Sequence, residues 1–272
     1  MHTAVDNGIN FIDVSPYYGH YKAETVLGKA LKEIPRDKYY LSTKVGRYGK
    51  DGVNTWDYSA KRVTDSVYES MERLNIDYID LINVHDVEFA DLNQIVNETL
   101  PALVALRDKG VVGHVGITDL QPENLKWVIE HVPSGTVESV LNFCHYSLND
   151  EMLLDYLDFF EANGVGVVNA SPFSMGLLSR RGAPAWHPAP ESLKQACRRA
   201  AEHCEARNYP IEKLAVQYST SNPRIATTLF SSANPDNVLK NIGYVNEPMD
   251  SELVKEVQEI IGDQMRVRWA NT

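Results

Sequence analysis

The sequence lacks several features that define whole classes of proteins. None of its 272 positions falls in an apolar run long enough to cross a bilayer, and the first residues have neither the basic start nor the apolar segment of a secretory signal peptide. Basic residues are in the minority, with 26 Lys and Arg against 37 Asp and Glu and a formal net charge of −11. Because phosphate-rich surfaces are bound by clustered cations, we expect neither a nucleic-acid nor a membrane partner.

Cysteine is also scarce, with three residues in the chain. Cys197 and Cys204 lie in a helical pattern about two turns apart, a separation of roughly 10 Å that is too large for a disulfide. This usage is typical of a reducing environment, and we expect a cytoplasmic protein. A glycine-rich dinucleotide fingerprint after a strand is missing too, since Gly164 and Gly166 stand where a helix leads into a strand.

What the chain does have is an alternation of short apolar segments and longer helical patterns. The predicted strands are Asn10–Val14, Tyr39–Lys44, Ile79–Val84, His114–Ile117, Val137–Asn142, Gly166–Asn169 and Thr227–Phe230. The predicted helices are Lys22–Ile34, Ala60–Leu74, Leu92–Lys109, Glu123–His131, Asn149–Asn163, Glu191–Arg207, Ile211–Ser221, Pro235–Tyr244 and Ser251–Ile261. The segments Tyr48–Tyr58 and Arg180–Pro190 are predicted to be loops.

Strands that alternate with helices indicate βαβ units and a parallel sheet. The predicted fold class is α/β, a TIM barrel of the (β/α)8 type, with an open doubly wound sheet as the alternative. A closed barrel needs eight strands, whereas the pattern gives about seven and opens within a helical segment. We therefore expect a single barrel domain over residues 1–272 that is incomplete at its N-terminus and lacks its first strand.

Ionisable side chains stand at the ends of three consecutive predicted strands. Asp13 and Lys44 close the first two strands, His85 follows the third, and Tyr18 comes five positions after Asp13. In barrels of this kind the working residues lie at the carboxyl ends of the strands, and neighbouring strands are ~4.8 Å apart. The four side chains are therefore expected to converge.

This set of residues is suited to proton transfer at a carbonyl or alcohol oxygen. A tyrosine has a pKa of ~10, and a neighbouring lysine ammonium lowers it, so Tyr18 could act as the acid or base. Asp13 would hold the Lys44 cation and His85 would orient the oxygen, while the accompanying hydride requires a nicotinamide. A metal site formed by Asp13, His85, Asp86 and His145 is the alternative, but Lys44 would repel the cation, so we predict no metal.

The segment Gly8–Gly19 resembles the aldo-keto reductase signature around its catalytic Asp and Tyr, and Lys44 and His85 match the Lys and His of that family. The resemblance implies a catalytic set of Asp13, Tyr18, Lys44 and His85, and a barrel whose N-terminal hairpin is missing together with its first strand. It also implies a nicotinamide cofactor. The implied cofactor-binding residues are Thr118, Asp119, Phe143, Ser171, Phe173, Met175, Gly176, Leu177, Ser231, Ser232, Asn234, Val238 and Asn241.

Shorter stretches resemble the plant-type branch of the family that oxidises L-galactose. They include Lys44–Tyr48, His85–Phe89, Cys144–Tyr146 and Trp186–Pro188. The resemblance implies oxidation of an aldose at its anomeric carbon to a lactone, in ascorbate biosynthesis, by a monomeric enzyme. The implied substrate residues are Tyr48, Asp86, Trp186 and Trp269.

The residues after Ser231 indicate which nicotinamide is used. Ala233 and Asn234 occupy positions where many members of the family have a cation. NADP needs a cation for its 2′-phosphate, so NAD is expected and NADP is less favoured. Two alternatives stay open: a general NADPH-dependent carbonyl reductase, and a truncated, non-catalytic nicotinamide-binding member of the family.

Overall fold

The computed structural model describes residues 1–50 and 53–270 of the chain. These residues form two compact units. The first consists of Met1–Leu141 and Phe159–Gly166, and the second of Asn142–Asp158 and the described residues from Val167 onward.

Nine strands are found in the described residues. They are β1 (Phe11–Asp13), β2 (Tyr40–Val45), β3 (Arg47–Lys50), β4 (Val53–Trp56), β5 (Ile79–Val84), β6 (Val112–Asp119), β7 (Ser139–Phe143), β8 (Gly166–Ala170) and β9 (Thr227–Leu229). Seven of them form one sheet in the order β1-β2-β5-β6-β7-β8-β9. The β1–β2, β2–β5, β5–β6 and β8–β9 pairs are parallel. The seven predicted strands are thus confirmed.

Helices separate most of these strands. They are α1 (His2–Asp6), α2 (Lys22–Leu31), α3 (Ala60–Leu74), α4 (Leu92–Gln94), α5 (Leu100–Asp108), α6 (Pro122–Glu130), α7 (Leu157–Ala162), α8 (Glu191–Ala206), α9 (Ile211–Ser219), α10 (Pro235–Val245) and α11 (Ser251–Ile261). A π-helical turn, Ile95–Thr99, joins α4 to α5. Pro101 stands at the start of α5 and has no N–H to continue a regular helical ladder.

Two predicted elements are wrong in part. The helix predicted over Asn149–Asn163 is a 3₁₀ turn, Met152–Tyr156, followed by the short α7. Its predicted start is a turn, because the Asp150 carboxylate accepts a hydrogen bond from the Met152 N–H and the backbones of Ser147 and Asp150 bond to each other.

The loop predicted over Tyr48–Tyr58 contains the antiparallel hairpin β3–β4, whose register pairs Arg47 with Trp56 and Tyr48 with Thr55. Aromatic and β-branched residues favour strands, and this signal outweighs the neighbouring polar residues. Positions 51 and 52 of the predicted loop lie outside the described residues. The second predicted loop, Arg180–Pro190, is confirmed, since it contains neither helix nor strand.

The helix α3 shows how the first unit is built. The Ser59 hydroxyl caps the helix by accepting from the Arg62 N–H, and Asn75 ends it at a φ of 57°. Val63, Val67 and Leu74 face inward and are fully buried. A Cβ on Gly28 would lie 2.3 Å from the Arg73 carbonyl oxygen, so this glycine allows α2 to approach α3 closely.

The second unit is built around small buried residues of α8. Ala196, Cys197, Ala200 and Cys204 lie on one face of this helix and are fully buried. On the same helix, His203 Nε2 lies 2.6 Å from a carboxylate oxygen of Glu256 on α11. The second unit thus buries the small apolar face of α8, and a polar contact joins α8 to α11.

Candidate active site

Three neighbouring parallel strands bring the predicted catalytic side chains together in the first unit. Asp13 ends β1, Lys44 lies one residue before the end of β2, and His85 directly follows β5. The register aligns Asp13 with Ser42, and Lys44 with Asn83. Tyr18 lies in the turn after β1, where its N–H donates to the Ser15 carbonyl oxygen at 3.1 Å.

Lys44 is the largest fully buried side chain of the chain's described residues, and its ammonium group is paired with Asp13. The Lys44 Nζ also donates to the Val14 carbonyl oxygen at 2.9 Å. Asp13 accepts a second hydrogen bond, from the Ser42 hydroxyl at 2.7 Å. Burial lowers the pKa of Lys44, but the negative charge of Asp13 and the contact with Tyr18 together raise this pKa by more than burial lowers it. The lysine therefore stays charged.

The Lys44 ammonium lies 4.8 Å from the centre of the Tyr18 ring. Tyr18 is 39% exposed, but the protein around its hydroxyl desolvates the phenolate and raises the pKa of Tyr18, and Lys44 lowers this pKa by less, so the net shift is upward. Lys44 thus lowers the pKa of Tyr18 as expected from the sequence, but desolvation, which the sequence does not reveal, outweighs this effect. Tyr18 is a phenol at neutral pH and is poised to donate a proton.

His85 is a neutral imidazole in this site. Burial lowers the pKa of His85 to about 3, and the cations Lys44 and Arg47 oppose the raising effect of Asp86. The His85 ring meets the Tyr18 ring edge to face, with 5.7 Å between the two ring centres. A neutral histidine beside the tyrosine is suited to donating a hydrogen bond to an uncharged oxygen.

Residues that the sequence did not single out complete this cluster. Arg47, the first residue of β3, donates to Asp86 Oδ2 at 2.5 Å and to the Tyr17 hydroxyl at 3.2 Å. The Ser15 hydroxyl lies 3.1 Å from His85 Nδ1. Arg47 directly precedes the segment that was predicted to be a loop, and the sequence pattern gave it no role in this cluster.

Two of the predicted substrate residues of the first unit are engaged within the protein. The Asp86 carboxylate is buried, bound to Arg47 and within 3.2 Å of the Thr118 hydroxyl. The Tyr48 side chain is 2% exposed, and its hydroxyl accepts from the Gly46 N–H at 3.0 Å. Contact of either residue with a substrate stays a prediction.

Thr118 and Asp119, predicted to bind the nicotinamide, are the last two residues of β6. The Thr118 hydroxyl accepts from the Asp86 N–H at 2.9 Å. Asp119 accepts from the Asn124 amide at 2.9 Å. Burial raises the pKa of Asp119 well above its usual range, and the negative charge of Glu88 is the second cause.

The remaining predicted cofactor residues lie in the second unit, after three successive strands. Phe143 ends β7, and the next residue, Cys144, donates its N–H to the Ala170 carbonyl oxygen at 3.1 Å. The segment that follows β8 begins with Ser171, whose N–H donates to the Leu229 carbonyl oxygen of β9 at 3.2 Å. The predicted residues of this segment are Ser171, Phe173, Met175, Gly176 and Leu177.

The segment after β9 leads to the N-terminus of α10. The Asn234 side chain caps this helix by accepting from the Asp236 N–H at 2.9 Å, and Ser231 and Asn234 are exposed. Ser232, Val238 and Asn241 are the other predicted cofactor residues here. Exposed hydroxyl and amide groups at a helix N-terminus fit the phosphates and ribose of a dinucleotide.

The predicted substrate residues Trp186 and Trp269 flank His187. The ring of His187 stacks beside Trp186 with centres 6.1 Å apart and meets Trp269 edge to face at 5.5 Å. His187 Nε2 also lies 3.1 Å from the Ser174 carbonyl oxygen. Trp186 is exposed, whereas Trp269 is buried by packing, and the substrate role of both stays a prediction.

The described part of the chain has neither a metal-ligand cluster nor a membrane-spanning helix. No group of three or more His, Cys, Asp or Glu side chains is arranged there to hold a metal ion. None of the helices among residues 1–50 and 53–270 is long and apolar enough to cross a membrane.

Comparison with known proteins identifies the family. The sequence model of the Aldo/keto reductase family matches residues 1–262, and the chain belongs to this family. It is therefore an NAD(P)-dependent oxidoreductase built on a parallel α/β barrel.

Individual relatives cover most of the chain. It is 44% identical to L-galactose dehydrogenase of Arabidopsis thaliana, over 96% of this chain and 83% of the relative. It is 36% identical to D-arabinose 1-dehydrogenase of Saccharomyces cerevisiae, over 80% of this chain and 67% of the relative. Among solved structures, the holo form of an aldo-keto reductase from Bacillus halodurans matches with a TM-score of 0.79 and 26% identity, over 99% of this chain and 87% of the other.

Proposed function

We propose that this protein catalyses the NAD-dependent oxidation of an aldose, L-galactose or a close analogue, at its anomeric carbon to the lactone. The observation that carries the proposal is the buried Asp13–Lys44 pair beside Tyr18 and His85. The 44% identity to an L-galactose dehydrogenase supports the substrate class.

Each side chain of the cluster has a defined task in this reaction. His85 donates a hydrogen bond to the anomeric oxygen and orients it, while deprotonated Tyr18 takes the hydroxyl proton. The Lys44 ammonium stabilises the phenolate, and Asp13 fixes the ammonium in place. As the C1–O bond becomes a carbonyl bond, C1 loses a hydride, and the oxidised nicotinamide, when bound, supplies the hydride acceptor.

The preference for NAD rests on the segment that precedes α10. Ala233 and Asn234 are both exposed and uncharged, so the described residues 231–235 offer no cation to a 2′-phosphate. Ser231, Ser232 and Asn234 supply neutral hydrogen-bonding groups suited to the hydroxyls of an unphosphorylated ribose.

The test is production of reduced cofactor by the purified protein with L-galactose, with NAD and NADP compared under identical conditions. We expect turnover with NAD, and at least a ~100-fold loss in Tyr18→Phe, because the proton acceptor is removed. Tyr40→Phe is the matched control, since Tyr40 is 59% exposed at the start of β2. Absence of turnover with every aldose tested, or full activity of Tyr18→Phe, would contradict the proposal.

One observation favours a second function, the reduction of a carbonyl compound. The raised pKa of Tyr18 keeps it protonated at neutral pH, which suits donation to a carbonyl oxygen better than acceptance from an alcohol. A panel of aldehydes and ketones with NADH and NADPH distinguishes the two. Carbonyl reduction without aldose oxidation would favour the second function over the first. Absence of activity in both assays would indicate a non-catalytic nicotinamide-binding protein.

A further inference from the structure

A charged network beside His85 has no task in the proposed reaction. It consists of Arg47 and Asp86, and both side chains are almost fully buried. Charges of this kind are costly to bury, so their pairing needs an explanation beyond stability.

Two donors compete for the same oxygen atom of this network. Asp86 Oδ2 lies 2.5 Å from Arg47 Nη1 and 3.5 Å from His85 Nε2. The other oxygen, Oδ1, accepts from the Thr118 hydroxyl at 3.2 Å. Because a bond at 2.5 Å is far stronger than a contact at 3.5 Å, Arg47 engages Oδ2 and His85 interacts with it only weakly.

Aromatic rings hold Arg47 in this position. The guanidinium carbon lies 4.1 Å from the centre of the Tyr17 ring, 5.0 Å from that of Phe89 and 5.7 Å from that of Trp56. The second terminal nitrogen donates to the Tyr17 hydroxyl. Stacking on several rings fixes the plane of the guanidinium, and with it the direction of its bond to Asp86.

The opposite side of the His85 ring sets the position of its proton. Ser15 Oγ accepts from the Tyr17 N–H at 3.1 Å and lies 3.1 Å from His85 Nδ1, so the Ser15 hydroxyl can donate its own proton to Nδ1. With Nδ1 as the acceptor, a neutral imidazole carries its hydrogen on Nε2. Nε2 is thus the donor that can reach a substrate oxygen.

We propose that Arg47 is a positioning residue for His85: it engages Oδ2 of Asp86 and thereby leaves the Nε2–H group of a neutral His85 available to the substrate oxygen. This inference rests on the proposed function, in which His85 orients that oxygen. It gives Asp86 a task within the protein, distinct from the substrate contact that the sequence suggests.

Removal of Arg47 has a definite electrostatic consequence. His85 is faced by Lys44 and Arg47, which lower its pKa, by Asp86, which raises it, and by the uncharged rings of Tyr17 and Tyr18. Without Arg47, one cation is lost and Asp86 is left to attract Nε2–H. The pKa of His85 then rises, and the Nε2–H group turns to Asp86.

The first experiment follows the imidazole nitrogens of His85 by NMR, in full-length protein labelled at histidine and without substrate, with the signal assigned from a His85→Gln variant. In the wild type we expect no protonation between about pH 5 and pH 8. In Arg47→Met, protonation of the ring should begin at a higher pH than in the wild type. The double variant Arg47→Met/Asp86→Asn should return to the wild-type behaviour, because the attracting carboxylate is gone.

The matched control is Arg62→Met. Arg62 also stacks on a tyrosine of the hairpin, at 4.3 Å from the Tyr48 ring centre, but it pairs with Glu69 and not with Asp86. We expect Arg62→Met to leave the His85 signal unchanged. An unchanged signal in Arg47→Met, or failure of the double variant to restore it, would overturn the inference.

Kinetics separate positioning from direct substrate contact. In Arg47→Met we expect kcat to fall by about 10- to 100-fold with a smaller change in KM, and kcat to gain a pH dependence that the double variant removes. A rise in KM in Asp86→Asn that exceeds the change in its kcat would instead indicate that Asp86 contacts the substrate, and this variant serves as the test if Arg47→Met does not fold. The NMR experiment needs no substrate, so it tests the role of Arg47 even if the proposed function is wrong. Failure of the proposed function would appear as absence of aldose turnover in the wild type.

Discussion

At the scale of single residues, the convergence of the proposed catalytic side chains could be predicted because each lies at or near the end of a recognisable strand. Asp13, Lys44 and His85 mark the ends of apolar segments, and parallel strands bring their carboxyl ends to one edge. The net pKa shift of Tyr18 could not be predicted, because it depends on how much water the packed site removes from the hydroxyl. Arg47 was missed because its contacts with Asp86 and Tyr17 join residues distant in the sequence.

The raised pKa of Tyr18 predicts a pH dependence for the oxidation. The phenolate is the form that accepts a proton, and its fraction increases as the pH approaches the raised pKa from below. We therefore expect kcat for aldose oxidation to rise about tenfold per pH unit over neutral and mildly alkaline pH. The measurement is a pH profile of kcat with saturating NAD.

The reverse reaction supplies the check on this prediction. Reduction of a carbonyl uses the phenol form, so its kcat should stay level through neutral pH and fall only above the pKa of Tyr18. His85, with its pKa lowered to about 3, should add no step near neutrality. A bell-shaped oxidation profile centred near neutrality would mean that another group, and not Tyr18, transfers the proton.

At the scale of elements, regular segments were predictable and irregular ones were not. The helices α3 and α11 have the predicted bounds, since Ser59 and Asp250 cap their first turns and apolar residues recur at helical spacing. The hairpin β3–β4 was missed because polar residues interrupt its apolar pattern and its register depends on cross-strand pairing. The turn around Asp150 was missed because a side chain there replaces the helical hydrogen bonds.

Gly46 joins β2 to the hairpin, and we expect this position to tolerate substitution poorly. Its φ is +97°, and a Cβ there would lie 2.3 Å from Tyr58 Cε1. Tyr58 donates to the carbonyl oxygens of His85 and Asp86. We expect Gly46→Ala to lower the free energy of unfolding by about 1–3 kcal/mol from the clash, beyond the backbone strain. Because the displaced ring also supports His85, kcat should fall as well.

Gly110→Ala is the control for the backbone strain that an alanine causes at a positive φ. Gly110 has a φ of +73°, but no atom lies within 4 Å of the position that a Cβ would take, so only strain is added. Urea unfolding and kcat should be measured for both variants. Equal losses of stability, or a Gly46→Ala variant with unchanged kcat, would show that Tyr58 does not transmit the clash to His85.

At the scale of the whole molecule, the βαβ alternation was sufficient to predict the class of fold, and the family match agrees with it. The division of the described residues into two compact units could not be predicted, because it follows from the density of packing and not from any linker in the sequence. The four proposed catalytic residues belong to the first unit, whereas Cys144, Cys197 and Cys204 belong to the second.

The cysteines predict the behaviour of the native protein towards thiol reagents. Burial raises the pKa of Cys144 and Cys197 to about 12 and that of Cys204 to about 11, and all three are buried and free. We expect no labelling of the folded protein at neutral pH and three equivalents after unfolding in urea. Prior treatment with a disulfide reductant should not change the number of thiols labelled in the folded or the unfolded protein. Rapid labelling of the folded protein would contradict the prediction and show that the second unit opens readily.

The hairpin β3–β4 has a consequence for how such an enzyme can diversify. It enters between β2 and α3 and carries Arg47, while Asp13, Lys44 and His85 belong to the strands or directly follow them. Mutations accumulating in the hairpin would leave the sheet register of those strands intact. Natural selection, or a laboratory library confined to this insertion, could therefore alter the surroundings of His85 while the proposed proton-transfer residues are inherited unchanged.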